Sequence, residues 1–390
     1  MKILAVLPRF PFPLDKGDKL RAYHQLRLLA RHHDIYLFCT SEHAVSDSAK
    51  AEILKFCKEI RVVKMNPALC LANAAFSFLK DGSLQVGYWN SCRTRRAFLD
   101  FERRVAPDAL YCQMVRTMPW VVKSPTFKVL DFQDALSMNT RRRMERSRGL
   151  WRLMLGYESK ALQRTEQRAL RLFDRTTVIS HIDQSHLSPN TVIVPNGVDT
   201  GYFDKNAAGQ PDNRYDIVFC GNMSYAPNVD AARFLVHDIM PHVWRVLPSA
   251  TLLLAGADPK SSVSSLASGR VTVSGRVADI RQAYASSQVF VAPMRLGSGL
   301  QNKLLEAMAM GLPCVTTSLA NTPLGASAGD QVLVADDAQS LAAHIVKLLS
   351  SADERHTLAE KGHRFVLDRY SWTAAVEPLE HIFYAQLESK

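Results

Sequence analysis

Between residues 297 and 314 the chain reads GSGLQNKLLEAMAMGLPC. An apolar run at 289–293 precedes this stretch and a second begins at Cys314, so the order is strand, glycine loop, helix, strand. Gly297 and Gly299 let the backbone approach a ligand closely. The helix that begins beside them offers unpaired N–H groups and a partial positive charge, which suits a phosphate. Asn302 and Lys303 fall in its first turn, where the only charge is positive. The helix macrodipole opposes a lysine there by ~0.3–1 kcal/mol at an exposed site, a conflict that an anionic ligand removes. Glu306 follows Lys303 by three residues and Asn302 by four, so the three share a helix face. A carboxylate one turn behind a phosphate cradle can accept hydrogen bonds from ribose hydroxyls. A glycine-capped loop with a solvated Lys–Glu pair fits the same spacing, and the residues alone leave both readings open.

The elements that must position these residues are legible as alternating apolar runs and helical stretches. Strands are expected at 3–7, 35–39, 60–65, 109–112, 129–132, 177–180 and 192–195. A second set follows at 217–220, 251–255, 271–274, 289–292, 314–317 and 332–335. Helices are expected at 19–31, 46–57, about 137–172, 228–247 and 340–349. Alternation of this kind predicts an α/β fold of two doubly wound, Rossmann-like domains with parallel sheets covered on both faces. The first domain is expected over 1–205 and the second over 212–372, with a polar Gly- and Pro-containing linker between. A closing helix at 373–390 is expected to cross back to the first domain. Ligands of such sheets bind beyond the carboxyl ends of the strands. Gly17, Gly221, Gly256, Gly275 and the 297 loop all lie at such ends, which predicts two domains facing across one cleft.

A length of 390 residues suits two domains. Seven scattered cysteines, none in a C-x2-C pair, indicate neither a zinc site nor a redox motif and read as buried free thiols in a reducing cytoplasm. Pro8, Pro11 and Pro13 cut the first apolar run too short for a signal peptide, so it reads as a strand entering a loop.

The formal net charge of +11 is concentrated in 141–175, where eleven Lys or Arg face four acids with Trp151, Leu153, Met154, Leu155 and Tyr157 interleaved. That mixture suits a basic helix on an anionic membrane face. A long helix packed on its own domain with solvated arginines suits it equally. Nucleic acid is not indicated, because no helix-turn-helix, zinc or RNA-recognition signature accompanies the charge.

The two-domain pattern, the Asn196-Gly197-Val198-Asp199 junction and the LLEAMAMGLPCV helix resemble the GT-B retaining glycosyltransferases of the family-4 type. The lead-in from Gly299 through Leu300, Gln301 and Asn302 to Lys303 is similar to sugar transferases associated with exosortase-linked exopolysaccharide loci. The resemblance implies a nucleoside-diphosphate sugar as donor, and a saccharide or polyprenyl-diphosphate-linked acceptor. It implies work at the cytoplasmic membrane face, with no cofactor and no metal. It places Glu306 at the second glutamate of the family's E-x7-E motif, which holds the ribose. Gly297, Ser298, Gly299, Leu300, Gln301, Asn302 and Lys303 match the segment that meets sugar and diphosphate. Gly17 matches the first-domain glycine loop, and Arg276 with Val277 the turn that meets the base.

Two departures stand out. Ser298 occupies the place of the motif's first glutamate, and Asn222 that of an arginine after Gly221, with Asn228 about where a lysine is common. The diphosphate charge must then be met elsewhere, by Lys303 and Arg295 with Arg276 behind them. Asp134 reads either as a polar contact to a donor or acceptor hydroxyl, or as an N-cap for the helix near Ser137. Lys16, Lys19 and Arg21 read as cations for an anionic acceptor or as solvated helix surface. A sugar-nucleotide epimerase and a non-catalytic nucleotide-sugar binder are the alternative functions.

Overall fold

The computed structural model describes residues 1–388 except Asp81, Arg146, 210–213 and Ser298. Ser298 of the expected glycine loop and residues 210–213 of the expected linker therefore lie outside the described residues. Contacts divide the chain into two units, Met1–Pro195 with Val376–Lys390, and Asn196–Ala375.

Seven strands form the sheet of the first unit: β1 (Lys2–Leu7), β2 (Asp34–Ser41), β3 (Cys57–Lys64), β4 (Ala109–Gln113), β5 (Phe127–Gln133), β6 (Arg175–Val178) and β7 (Val192–Ile193). Their order is β3-β2-β1-β4-β5-β6-β7 and every pairing is parallel. The second unit holds β8 (Tyr215–Cys220), β9 (Leu252–Ala255), β10 (Val271–Gly275), β11 (Ser287–Ala292), β12 (Cys314–Thr316) and β13 (Leu333–Val334), ordered β10-β9-β8-β11-β12-β13 and again all parallel. Central strands such as β1, β4, β8 and β11 are apolar along most of their length because helices cover both faces of each sheet. The strand order reverses between β1 and β4 in one sheet and between β8 and β11 in the other. Such switch points open crevices beyond the strand ends.

The unit boundary falls at Pro195, earlier than the linker composition predicts. The segment after it belongs with the second unit, because the Val198 N–H donates to the Tyr370 carbonyl (2.7 Å) and Val198 bridges to Ser371. The closing helix, Trp372–Glu388, begins in the second unit and continues into the first.

Two expected helices are interrupted. The 137–172 stretch is two helices, Leu136–Glu145 and Gly149–Leu172, separated at Arg148, which is extended, and Gly149, at φ 59°. The 228–247 stretch runs as an α-helix over Ala226–Phe234, a π-helical turn over Leu235–Ile239 and an α-helix over Met240–Val246. Pro241 explains the widening, since it has no N–H for the carbonyl four residues back.

A charged cluster lies inside the first unit. Arg21, 1 % exposed, donates through Nε and Nη2 to Asp131 (2.7 and 3.0 Å), through Nη2 to the Val194 carbonyl (2.8 Å) and through Nη1 to the Pro195 carbonyl (3.0 Å). Asp131 also accepts from Thr177 Oγ1 (2.9 Å) and the Tyr111 hydroxyl (3.1 Å). Burial alone pulls the Arg21 guanidinium down, but the Asp131 carboxylate outweighs it and holds it above its usual value. This arginine ties helix Gly17–Leu29 to β5 and to the end of β7, which removes it from the cations expected to meet an acceptor. Asp131→Ala strands that guanidinium without its carboxylate, so chemical denaturation should show a loss of about 3–5 kcal/mol. A loss under about 1 kcal/mol would show that the pair does not organise this sheet.

Candidate functional site

The β8/β11 switch point gathers the residues around Lys303. Gly297 and Gly299 adopt φ 109° and 92°, a region that disfavours any other residue, and they carry the chain from β11 into helix Asn302–Ala309. Gln301 sits at its N-cap with no side-chain bond to the helix, and among the described residues no side chain caps the first-turn N–H groups. Asn302 Oδ1 is buried without a hydrogen-bond partner among the described residues.

Lys303 Nζ makes a short hydrogen bond to Asn228 Oδ1, lies 3.9 Å from Met294 Sδ and stands 5.1 Å from the Phe219 ring centre. Among the described residues no carboxylate comes within 4.0 Å of it. Burial pulls the ammonium down to about 8, and only the more distant Glu306 and Cys220 oppose that shift. Asn228 is itself fixed, for its Nδ2 donates to the Asn222 carbonyl at 2.9 Å. The position read as a missing lysine thus carries the side chain that aims Lys303. Gly221 makes room for it, since a Cβ there would come 2.7 Å from Asn228 Nδ2.

Glu306 does not pair with Lys303. Its Oε2 accepts from the Tyr284 hydroxyl at 2.7 Å. Burial raises the Glu306 carboxyl, against the lowering effects of Tyr284 and Lys303. Tyr284 is fully buried and lies in a short helix with no spacing signal, so sequence reasoning did not find it. Sequence reasoning missed Phe219 and Met294 as well.

Other expected residues are differently placed. Arg295 donates to Asp230 through Nε and Nη2 (3.1 and 2.8 Å) and stacks 4.1 Å over Phe234, so its charge is already paired. Arg276, with Val277, follows edge strand β10, two strands from β8, and faces Asp258 at 3.7 Å. Both arginines, which the sequence reading offered with Lys303 for the diphosphate charge, face a carboxylate in this structure. Asn222 Oδ1 is taken by the Ser224 N–H and hydroxyl (2.8 and 2.6 Å), while its carbonyl supports Asn228. Leu300 packs on the core of the second unit.

Gly17 and Asp134 lie in the first unit. Gly17 opens helix Gly17–Leu29 with open space where a Cβ would stand, so nothing local demands glycine there. Asp134 follows β5, but the N–H groups beside it are capped by others: Ala135 N–H donates to Asp183 Oδ1 and Ser137 N–H to Glu166 Oε1, both at 2.9 Å. The N-cap reading of Asp134 is therefore not what the structure shows. Burial, with Asp183 and Asp131 adding to it, pushes the Asp134 carboxyl up to about 6. Among the described residues, no group of three or more His, Cys, Asp or Glu is arranged to hold a metal ion.

Residues 214–351 match the family described as glycosyl transferases group 1. Over 389 residues the chain is 21 % identical to the uncharacterized 44.6 kDa protein in cps region of Klebsiella pneumoniae, covering 95 % of this chain and 96 % of that one. It is similar in structure to Anabaena HepE in complex with UDP, at TM-score 0.69 and 15 % identity over 99 % of this chain and 100 % of that one. Sucrose-phosphate synthase from Thermosynechococcus elongatus is similar at TM-score 0.66 and 15 % identity, with 100 % of each chain covered. These likenesses show the fold, two parallel sheets with interleaved helices. With the group 1 match, they support a glycosyltransferase.

The lowered Lys303 pKa has a consequence for stability. The folded protein holds this proton less tightly than the unfolded chain, so the charged form opposes folding below pH about 8, and that cost fades as pH rises from about 8 to 10.5. Lys303→Met should match or exceed the wild type by roughly 1–3 kcal/mol at pH 7, with the gain shrinking over the same window. A clear destabilisation at pH 7 in thermal unfolding would make the ammonium a structural partner instead.

Proposed function

We propose that the protein transfers a sugar, with retention at the anomeric carbon, from a nucleoside-diphosphate sugar to a saccharide or polyprenyl-diphosphate-linked acceptor. The observation that carries this reading is the Lys303 ammonium, withdrawn from water at a helix start with no carboxylate within ion-pair distance among the described residues. A diphosphate there gains a charge-assisted hydrogen bond and the helix N–H groups, and it restores the lysine to its charged state. Anabaena HepE, whose structures hold UDP and UDP-glucose, supports a uridine diphosphate donor.

In the reaction the bond from the anomeric carbon to the diphosphate breaks and one to the acceptor oxygen forms, while the acceptor's proton passes to the departing diphosphate. Negative charge grows on the leaving group, and Lys303 with the N–H groups of the 302 helix meets it. Glu306, oriented by Tyr284, offers its other oxygen to the ribose hydroxyls. The turn at Arg276 and Val277 meets the base. Lysine and helix dipole together do the work a divalent cation would do, so a chelator leaves the rate unchanged. The relative named for a cps region supports an exopolysaccharide setting, in keeping with the resemblance to exosortase-linked transferases and with work at the membrane's cytoplasmic face.

Incubation with labelled nucleotide sugars, a lipid extract and EDTA tests the reading: labelled lipid or saccharide product is expected. An epimerised donor with no transfer product would make the protein an epimerase, and binding without turnover across a donor panel would make it a binder. In calorimetric titrations with UDP, Lys303→Met should weaken binding at least about tenfold, the loss of one charge-assisted hydrogen bond. Glu306→Ala should weaken it several-fold with the melting temperature nearly unchanged. Unaltered affinity in both variants would remove UDP from this site.

A further inference from the structure

Helix Pro67–Leu79, in the first unit, reads PALCLANAAFSFL and contains no charged residue. Its packing is inverted relative to a normal surface helix. Leu69, Leu71, Phe76, Phe78 and Leu79 are exposed, while polar Asn73 and Ser77 lie on the half-buried side with Cys70 and Ala74. Ser77 donates to the Ser83 carbonyl at 2.9 Å, and a Cβ on Gly87 would stand 2.3 Å from Ser77 Cβ, so this orientation is fixed by close packing.

A second helix extends the apolar surface. In Gly149–Leu172 the first turns expose Leu150 (81 %), Trp151 (65 %) and Leu153 (72 %). Leu150, Leu153 and Tyr157 share one helix face. The Tyr157 ring lies 4.6 Å from that of Phe78, and its hydroxyl donates to the Phe78 carbonyl at 3.1 Å. Two helix ends thus present one contiguous apolar patch, larger than scattered surface leucines require.

The surroundings are cationic. Lys80 stacks 4.3 Å over Phe76, and Arg148 and Arg152 flank the second helix tip. Of the acids in 141–175, Glu158 and Glu166 face inward: Glu158 accepts from Ser83 Oγ and the Leu84 N–H (2.6 and 2.8 Å), and Glu166 from Ser137, whereas Glu145 is exposed beside Arg141. The arginines of the same helix are left outward.

We propose that this patch seats the first unit on an anionic lipid bilayer, with Leu69, Leu71, Phe76 and Leu79 and the Leu150–Trp151–Leu153 tip entering the acyl boundary. Lys80, Arg148 and Arg152 lie at the level of the lipid phosphates. Apolar side chains that offer no hydrogen bonds, an exposed tryptophan and a basic rim suit a bilayer better than a polar protein face. The inference deepens the proposed membrane-linked acceptor. It moves the main contact from the arginine-rich 141–175 segment to an uncharged helix that composition did not mark.

Flotation of the full chain with phosphatidylcholine vesicles containing phosphatidylglycerol tests it. The wild type should float with the anionic vesicles, and high salt should weaken that binding without abolishing it. Leu69→Gln, Leu71→Gln and Phe76→Gln combined should cut the bound fraction at least about tenfold without shifting the melting temperature. Lipids brominated in the acyl chain should quench tryptophan emission in the wild type but not in Trp151→Phe, because Trp89, Trp120 and Trp372 are buried and half-buried Trp244 lies under Arg270 in the second unit. Vesicle binding that the triple variant keeps and salt alone removes would overturn the insertion. So would a patch whose substitution abolishes self-association of a protein that never binds vesicles. UDP affinity measured without lipid reports on the donor site alone, so the two readings fail separately.

Discussion

An ammonium group taken out of water without a carboxylate partner is the constraint around which the second unit is arranged. Lys303 has an amide oxygen, a thioether and an aromatic ring for company, all uncharged. Such neighbours orient a cation without cancelling its charge. To hold them there, β8 must end in Gly221 so that Asn228 can approach, and β11 must end in a loop that two left-handed glycines turn into a helix start. The strand-order reversal between β8 and β11 supplies the crevice in which these parts meet.

The first unit handles buried charge in the opposite way. Arg21 is as deeply withdrawn from water as any side chain in the protein, yet two oxygens of Asp131 and two carbonyls satisfy it. Glu158 and Glu166 are likewise spent on helix starts. Arg21 thus meets an opposite charge, while neutral hydroxyl and N–H donors satisfy Glu158 and Glu166. Lys303 and Asp134 are the contrast: one is pulled down to about 8 and the other pushed up to about 6, and neither is paired with an opposite charge within ion-pair distance among the described residues. That separation of structural from chemically poised charges gives the functional reading its physical basis.

The fold was largely legible in the sequence because buried parallel strands must be apolar along their length. Runs such as 217–220 and 289–292 are therefore unmistakable against the helices between them. The helix breaks were less visible. Pro241 and Gly149 were both in plain sight, but apolar periodicity continues across them. In the site, Gly297, Gly299, Lys303 and Glu306 could be found because glycine and charge at a helix start carry a local signal. Tyr284 and Phe219 could not, since a lone aromatic side chain looks the same in sequence whether it fills a core or orients a charged group. Arg295 and Arg276 show the converse. A cation is visible in sequence, but Asp230 and Asp258, which face them, are distant along the chain and meet them only in the fold.

The central claim is that the Lys303 charge awaits an anion. Titration of the lysine side-chain signal by NMR, assigned with Lys303→Arg, addresses it directly. The free protein should show a lysine titrating near 8, and saturation with UDP should carry that midpoint above 10, because a diphosphate stabilises the charged form by more than about 2.7 kcal/mol. A midpoint near 8 that UDP leaves unmoved would contradict the account.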